Sequence, residues 1–261
     1  VAPYSVPADR IAAVPDINGS NICVSCHSGR VSGDYLKGLN FATQVSGKNF
    51  GSFNSHYIAD GGIMYRTLGY EFTGLDYSNA VSYVHPTIGS TGGTEGDNGP
   101  CVGCHMRSDE SHSFEVVDGD LGAVTDIKSY TNVCSRCHGN KAALIVALND
   151  RDAEYNAALA ALESQLNVKG IYYCSSYPYF KTAAACAGGF FTAWPDIDTL
   201  GAAFNYNLLK NAPAAYVHNI EYTRKLIYDS IDFLDGGGLD KSVETTLGGS
   251  GDAYDYLNGT R

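Results

Sequence analysis

The chain has few charges, few methionines and no long apolar run. Only 17% of its 261 residues are Asp, Glu, Lys or Arg, and 28 acidic residues outnumber 17 basic ones, a formal net charge of -11. A surface of that sign repels nucleic acid and anionic lipid, which argues against both as partners; we read it as solubility. No apolar stretch reaches the roughly 20 residues that a bilayer-crossing helix needs, so no membrane span is expected. No loop of regularly spaced carboxylates stands out as a calcium site. There are two methionines and one tryptophan, against 30 glycines and 19 tyrosines. Many glycines and few charges predict long irregular segments wrapped around something else.

What is present is one pentapeptide in three copies: Cys23-Val-Ser-Cys26-His27, Cys101-Val-Gly-Cys104-His105 and Cys134-Ser-Arg-Cys137-His138. Each is C-x-x-C-H, the attachment site of a c-type haem. Two thiols at that spacing can form thioethers to the two vinyl groups of one haem. The His that follows is then placed under the iron as its proximal ligand. A lone copy also suits a zinc or redox site. Three copies use six of the eight cysteines and three of the seven histidines. We therefore expect three haem c groups, whose faces would add apolar surface to the core.

Four histidines are left for the far side of the irons: His56, His85, His112 and His218. Three irons need three, and Met64 and Met106 are the only thioethers. The supply favours three bis-His haems, with one His to spare or serving another subunit. Two imidazoles close an iron, which suits electron transfer rather than bond chemistry, so no catalytic residue is expected. His112 is too near His105 to reach round its own haem and suits a neighbouring one. His218 is expected early in a helix, a rigid platform. Asn219, Asp109 and Glu110 are near enough in sequence to hold a ligand's second ring nitrogen. The tyrosines are read first as core and interface packing, with haem edges as the alternative.

The remaining cysteines, Cys174 and Cys186, lack an adjacent His and are expected to form a disulfide in an oxidising compartment. The chain begins Val1-Ala-Pro-Tyr4. Haem attachment happens outside the prokaryotic cytoplasm, so we expect a processed N-terminus and a secreted or cell-surface protein.

We expect one domain, 1–261: an arm over 1–22, the haem-attachment region over 23–140, a helical region over 141–235 and a Gly-rich tail over 236–261. The fold class is irregular loops around haems, a few mainly C-terminal helices and minor β structure. A short strand is expected at 62–68, a loop at 89–100 and a hairpin across 118–122. Helices are expected over 141–168, with Tyr155, Leu159, Leu162 and Leu166 on one stripe, over 196–209, and over 213–234, with Ile220, Ile227, Ile231 and Leu234. The tail is disordered alone or pinned onto a neighbour.

Two stretches resemble a known family. One is Gly99-Pro-Cys-Val-Gly-Cys-His-Met106, then Ser111-His-Ser-Phe114, then Cys134-Ser-Arg-Cys-His-Gly139. The other is Ala202-Ala-Phe-Asn-Tyr-Asn207, Ala214-Ala-Tyr-Val-His-Asn219 and Leu226-Ile-Tyr-Asp-Ser-Ile231. Both are similar to outer-surface multihaem c-type cytochromes of metal-respiring bacteria. The resemblance implies distal-ligand roles for His112 and His218. Some members polymerise into extracellular filaments, and in some a His from one subunit completes a haem of the next. That would suit His56 or His85 here.

The first functional reading is therefore an extracellular electron conduit made of copies of this chain. The second is a soluble or surface-bound carrier that exchanges electrons with other cytochromes or extracellular acceptors. The third, a multihaem reductase, would keep one iron open.

Overall fold

The computed structural model describes residues 13–56, 58–89, 98–106 and 113–261. Along the chain run helices α1 (Asn21–Val24), α2 (Gly33–Lys37), α3 (Asp60–Met64) and α4 (Gly99–His105), then strands β1 (Val117–Asp118) and β2 (Asp126–Ile127). Helix α5 (Lys141–Val168) is followed by β3 (Tyr172–Tyr173), β4 (Phe180–Lys181), α6 (Ile197–Lys210), α7 (Ala215–Gly236), α8 (Val243–Leu247) and α9 (Asp252–Leu257). The chain is helix-rich with long loops and minor sheet, as expected.

Asn140 caps α5, its side chain accepting from the Ala143 amide at 3.0 Å. That satisfies one of the donors a helix start leaves unpaired. Gly170, at φ 75°, follows its end. The expected stripe of Tyr155, Leu159, Leu162 and Leu166 is buried. The first half of α5 carries no such stripe, and there Asn149 grips the hairpin instead. It accepts from Val124 N at 2.8 Å and donates to Val124 O at 3.1 Å. β1 and β2 pair antiparallel, Val117 with Ile127, across the turn expected at 118–122.

Helix α6 is capped by Asp196, which accepts from Thr199 N at 2.6 Å. It is buried without a break from Thr199 to Leu209, as befits a central helix. Gly201 lets the Tyr70 ring lie on it, for a Cβ there would sit 2.2 Å from that ring. β3 and β4 form a second small hairpin, and Cys174 is joined to Cys186 beside it.

Two expectations are corrected, and one of the two readings of the tail is settled. Segment 62–68 is not a strand: its start belongs to α3. Ile63, Met64 and Leu68 are all buried, and a short apolar run has no periodicity to separate helix from strand. The tail is not loose. α9 returns to α7, where Tyr256 Oη meets Thr223 Oγ1 at 2.6 Å and Arg224 Nε donates to Tyr256 O at 2.7 Å. The core does not wait for haem faces either. One apolar cluster runs from Val31 to Leu257, and Tyr70, Tyr155, Tyr206, Tyr222 and Tyr256 are among its largest fully buried side chains.

Inside that core, Asn205 clamps an irregular segment. It accepts from Tyr70 N at 2.7 Å and donates to Tyr70 O at 2.9 Å and Ser230 Oγ at 3.1 Å. Asn205→Leu should cost about 2–4 kcal/mol, because it leaves the Tyr70 amide and carbonyl buried and unpaired. Urea unfolding of the holoprotein checks this, and a loss below about 1 kcal/mol would refute the clamp.

Asp229 lies against Tyr77, with Lys225, Asp232 and Arg261 near. Burial pushes its carboxyl up to about 6. A carboxyl raised above its unfolded value binds more protons when folded, so stability falls as pH rises from about 4 to about 6. The loss is about 2–3 kcal/mol. Stability measured across that window should slope downward in the wild type and flatten in Asp229→Asn.

Candidate haem sites

Each pentapeptide forms one helical turn. The His27 amide bonds the Cys23 carbonyl at 2.9 Å, and His138 bonds Cys134 at 2.8 Å. The second copy lies within α4. Residues three and four apart share a face of such a turn, so the first Cys, the second Cys and the His converge.

The copies are docked to one another. Ser20 Oγ donates to Asn98 O and accepts from Val102 N at 3.0 Å, tying the turn before α1 to α4. Gly99, at φ 76°, permits this approach; a Cβ there would sit 2.3 Å from the Ile17 carbonyl. The Cys23 and Cys101 thiols are neighbours. Ser129 Oγ donates to Cys104 O at 2.6 Å, and Cys104 neighbours Cys134. The three turns therefore stand in a row in chain order, the second in the middle. Burial pushes Cys101 up to about 11 and Cys104 up to about 12, with nearby thiols adding to it.

The histidines are arranged about this row. His218 faces His105, ring centroids 6.4 Å apart and planes 24° apart. His85 faces His138 at 6.3 Å, planes 73° apart. Each orienting contact is at Nδ1. His85 Nδ1 donates to Val217 O at 3.0 Å, and His105 Nδ1 to Phe114 O at 2.8 Å. His27 Nδ1 bonds Asp60 Oδ2 at 3.4 Å. His218 Nδ1 lies 3.4 Å from Asp60 Oδ1, at ion-pair distance but without hydrogen-bond alignment. Carbonyls and carboxylates only accept, so Nδ1 carries the proton and Nε2 keeps its lone pair for a metal.

Burial, outweighing the pull of Asp60 and helped by His105, His27 and His85, holds His218 below the usual histidine range. Burial and His85 do the same for His138. The neutral ring is the ligating form. Burial alone would raise the Asp60 carboxyl, but the His27 hydrogen bond and the nearby His218 outweigh it and hold it low.

These residues fit haem c. Two imidazoles bonded to opposite sides of one metal at about 2.0–2.1 Å have centroids about 6.4 Å apart. Both facing pairs have that spacing. Zinc would hold its ligands tetrahedrally rather than in opposed pairs.

His218 does not stand on a helix proper. α7 breaks at Asn219 (φ -158°, ψ 86°). Asn219 caps the long helix, accepting from Tyr222 N at 3.1 Å, and donates to Met64 O at 3.0 Å. His218 sits on the turn before it. Asn219 thus serves the backbone, not a ligand's ring nitrogen. His56 lies in a loop pinned to the residues after His27 through Arg30 N to Ser55 O at 2.8 Å. Among the described residues no imidazole faces His27 as His218 faces His105. His112, Asp109 and Glu110 lie outside the described residues. The sequence reading missed Asp60, since no motif surrounds it and its partners are distant in the chain.

No family model matches the chain, and no solved structure matches it. Over 254 residues it is 39% identical to the C-type polyheme cytochrome OmcB of Geobacter sulfurreducens, covering 89% of this chain and 33% of that one. Over 260 residues it is 38% identical to the C-type polyheme cytochrome OmcC of the same species, covering 92% of this chain and 33% of the relative. The chain spans about a third of the length of the curated relatives it matches. With its three attachment motifs, the chain is homologous to the polyheme c-type cytochromes OmcB and OmcC.

Proposed function

We propose that the chain carries electrons through three haem c groups and turns over no substrate. Cys23 and Cys26, Cys101 and Cys104, and Cys134 and Cys137 would hold the haems, with His27, His105 and His138 as proximal ligands. His218 would cap the iron at His105, and His85 would cap that at His138. His56 and His112 are the candidates left for the iron at His27. Haem iron supplies a one-electron couple when bound. The protein's part is to hold two imidazoles on each iron, proton on Nδ1, so that no axial position opens. The observation that carries the reading is the pair of opposed histidines at 6.4 and 6.3 Å.

The His27 ring is half exposed, at 51%. It marks the edge at which exchange with a partner would occur. We propose that a second copy of this chain meets it there, with a histidine such as His56 given between subunits, in a secreted or cell-surface filament. An exchange with another redox cytochrome or an extracellular acceptor is the alternative. His85 lies against His138 in its own chain, so it is not the histidine proposed for the intermolecular role.

Mass measurement of the mature protein should show three haems, and its spectra should be low-spin with no carbon monoxide binding. His218→Ala and His85→Ala should each open one iron to carbon monoxide and leave the other two closed. Fewer than three haems, or no newly open iron in either variant, would sink the reading. Electron microscopy of concentrated protein tests the assembly: dispersed single subunits would remove the filament and leave the carrier.

A further inference from the structure

Asp60 touches two different haem sites. Its Oδ2 lies 3.4 Å from His27 Nδ1, and its Oδ1 lies 3.4 Å from His218 Nδ1. His27 belongs to the first attachment motif, whereas His218 faces His105 of the second. The carboxylate is held there from both ends of α3. At its start, the Gly61 and Gly62 amides donate to the His27 carbonyl at 2.8 and 3.2 Å. At its end, the Met64 carbonyl accepts from Asn219, the residue next to His218. A five-residue helix is thus anchored to both histidine-bearing segments, with its first side chain between the rings. His218 Nδ1 is a buried atom with no hydrogen bond of its own, and Asp60 is the acceptor that faces it.

We propose that Asp60 is a positioning residue shared by two irons. It orients the proximal imidazole of one haem and the distal imidazole of the next, and it sets their potentials together. This rests on the ligand assignment above. A carboxylate on the far nitrogen fixes ring orientation and raises the basicity of an imidazole ligand, which favours ferric iron. The other oriented rings lean on neutral groups: His105 on the Phe114 carbonyl and His85 on the Val217 carbonyl. The iron between His85 and His138 therefore lies outside the influence of Asp60's contacts.

The test is Asp60→Asn in the intact holoprotein, with haem mass, spin state and the three reduction potentials measured together. Three low-spin haems should remain. Two potentials should rise, raising the reduced-to-oxidised ratio at fixed potential about tenfold, or about 59 mV for a one-electron couple. The third should stay, and the ferric electron paramagnetic resonance signals of the same two haems should shift. Asp60→Glu, which keeps the charge, should return both potentials toward the wild type. Three unmoved potentials would overturn the proposal, as would three moved equally, which is a general effect of lost charge. If the Asn variant loses haem, Asp60→Ser decides in its place: paired rises in two potentials support the sharing, and three unmoved potentials overturn it. A wild type with fewer than three haems, or with an open iron at His105, would instead defeat the ligand assignment.

Discussion

The histidine geometry depends on a break in one helix. At Asn219 the backbone leaves helical conformation for a single residue, and the side chain of that residue restarts the helix by capping it. The turn left in front has unpaired carbonyls, as any interrupted helix does. Val217 O receives the His85 ring, and His218 O receives Tyr83 Oη at 3.0 Å. The His218 ring lies beside that of His105, centroids 6.4 Å apart. One backbone interruption thereby orients an imidazole for each of two attachment motifs. It also ties α3 to the same point through Met64.

Behind that break lies a helical core that stands on ordinary packing. α6 is buried from Thr199 to Leu209, α7 and the second half of α5 flank it, and α9 closes over them. Buried tyrosines supply much of the volume, and their hydroxyls are satisfied within the protein. Tyr155 donates to the Leu209 carbonyl at 2.8 Å, and Tyr206 to Glu163 at 2.7 Å. A core complete in this way gives the turn that carries His218 a firmly packed platform. The second attachment turn is held by side chains from distant segments, Ser20 at Val102 and Ser129 at Cys104.

Which features were legible in the sequence follows from how local each one is. The attachment motifs and α5 were readable because their signals lie within a turn or a few turns: C-x-x-C-H, and the stripe from Tyr155 to Leu166 closed by Gly170. The Cys174–Cys186 pairing followed from cysteine arithmetic. Asp60 was not readable, because its role comes from His27 and His218, 33 residues before and 158 after it, brought together by tertiary contacts. The α7 break escaped for a related reason. Asn219 fits the helical pattern around it, and only the Met64 carbonyl across the interface makes the extended conformation worthwhile. The C-terminal segment looked like a tail because it is rich in glycine and polar residues. Val243, Tyr256 and Leu257 are buried in the core and pin it.

The row of motifs has a further property that bears on electron transfer. Its middle is more enclosed than its ends. Cys101 and Cys104 are partly covered, whereas Cys26 at one end and Cys137 at the other are exposed. A carrier that exchanged electrons at every haem would expose all three alike. In the proposed conduit, charge would enter and leave at the more exposed first and third turns, whether the neighbour is a copy of the chain or another cytochrome. The carboxylate of Asp60 sits at the junction of the first and second sites, whereas the third is oriented by a carbonyl. A negative charge at one end of a row of equal cofactors makes their potentials unequal. The row would then have a preferred direction written into it by one side chain.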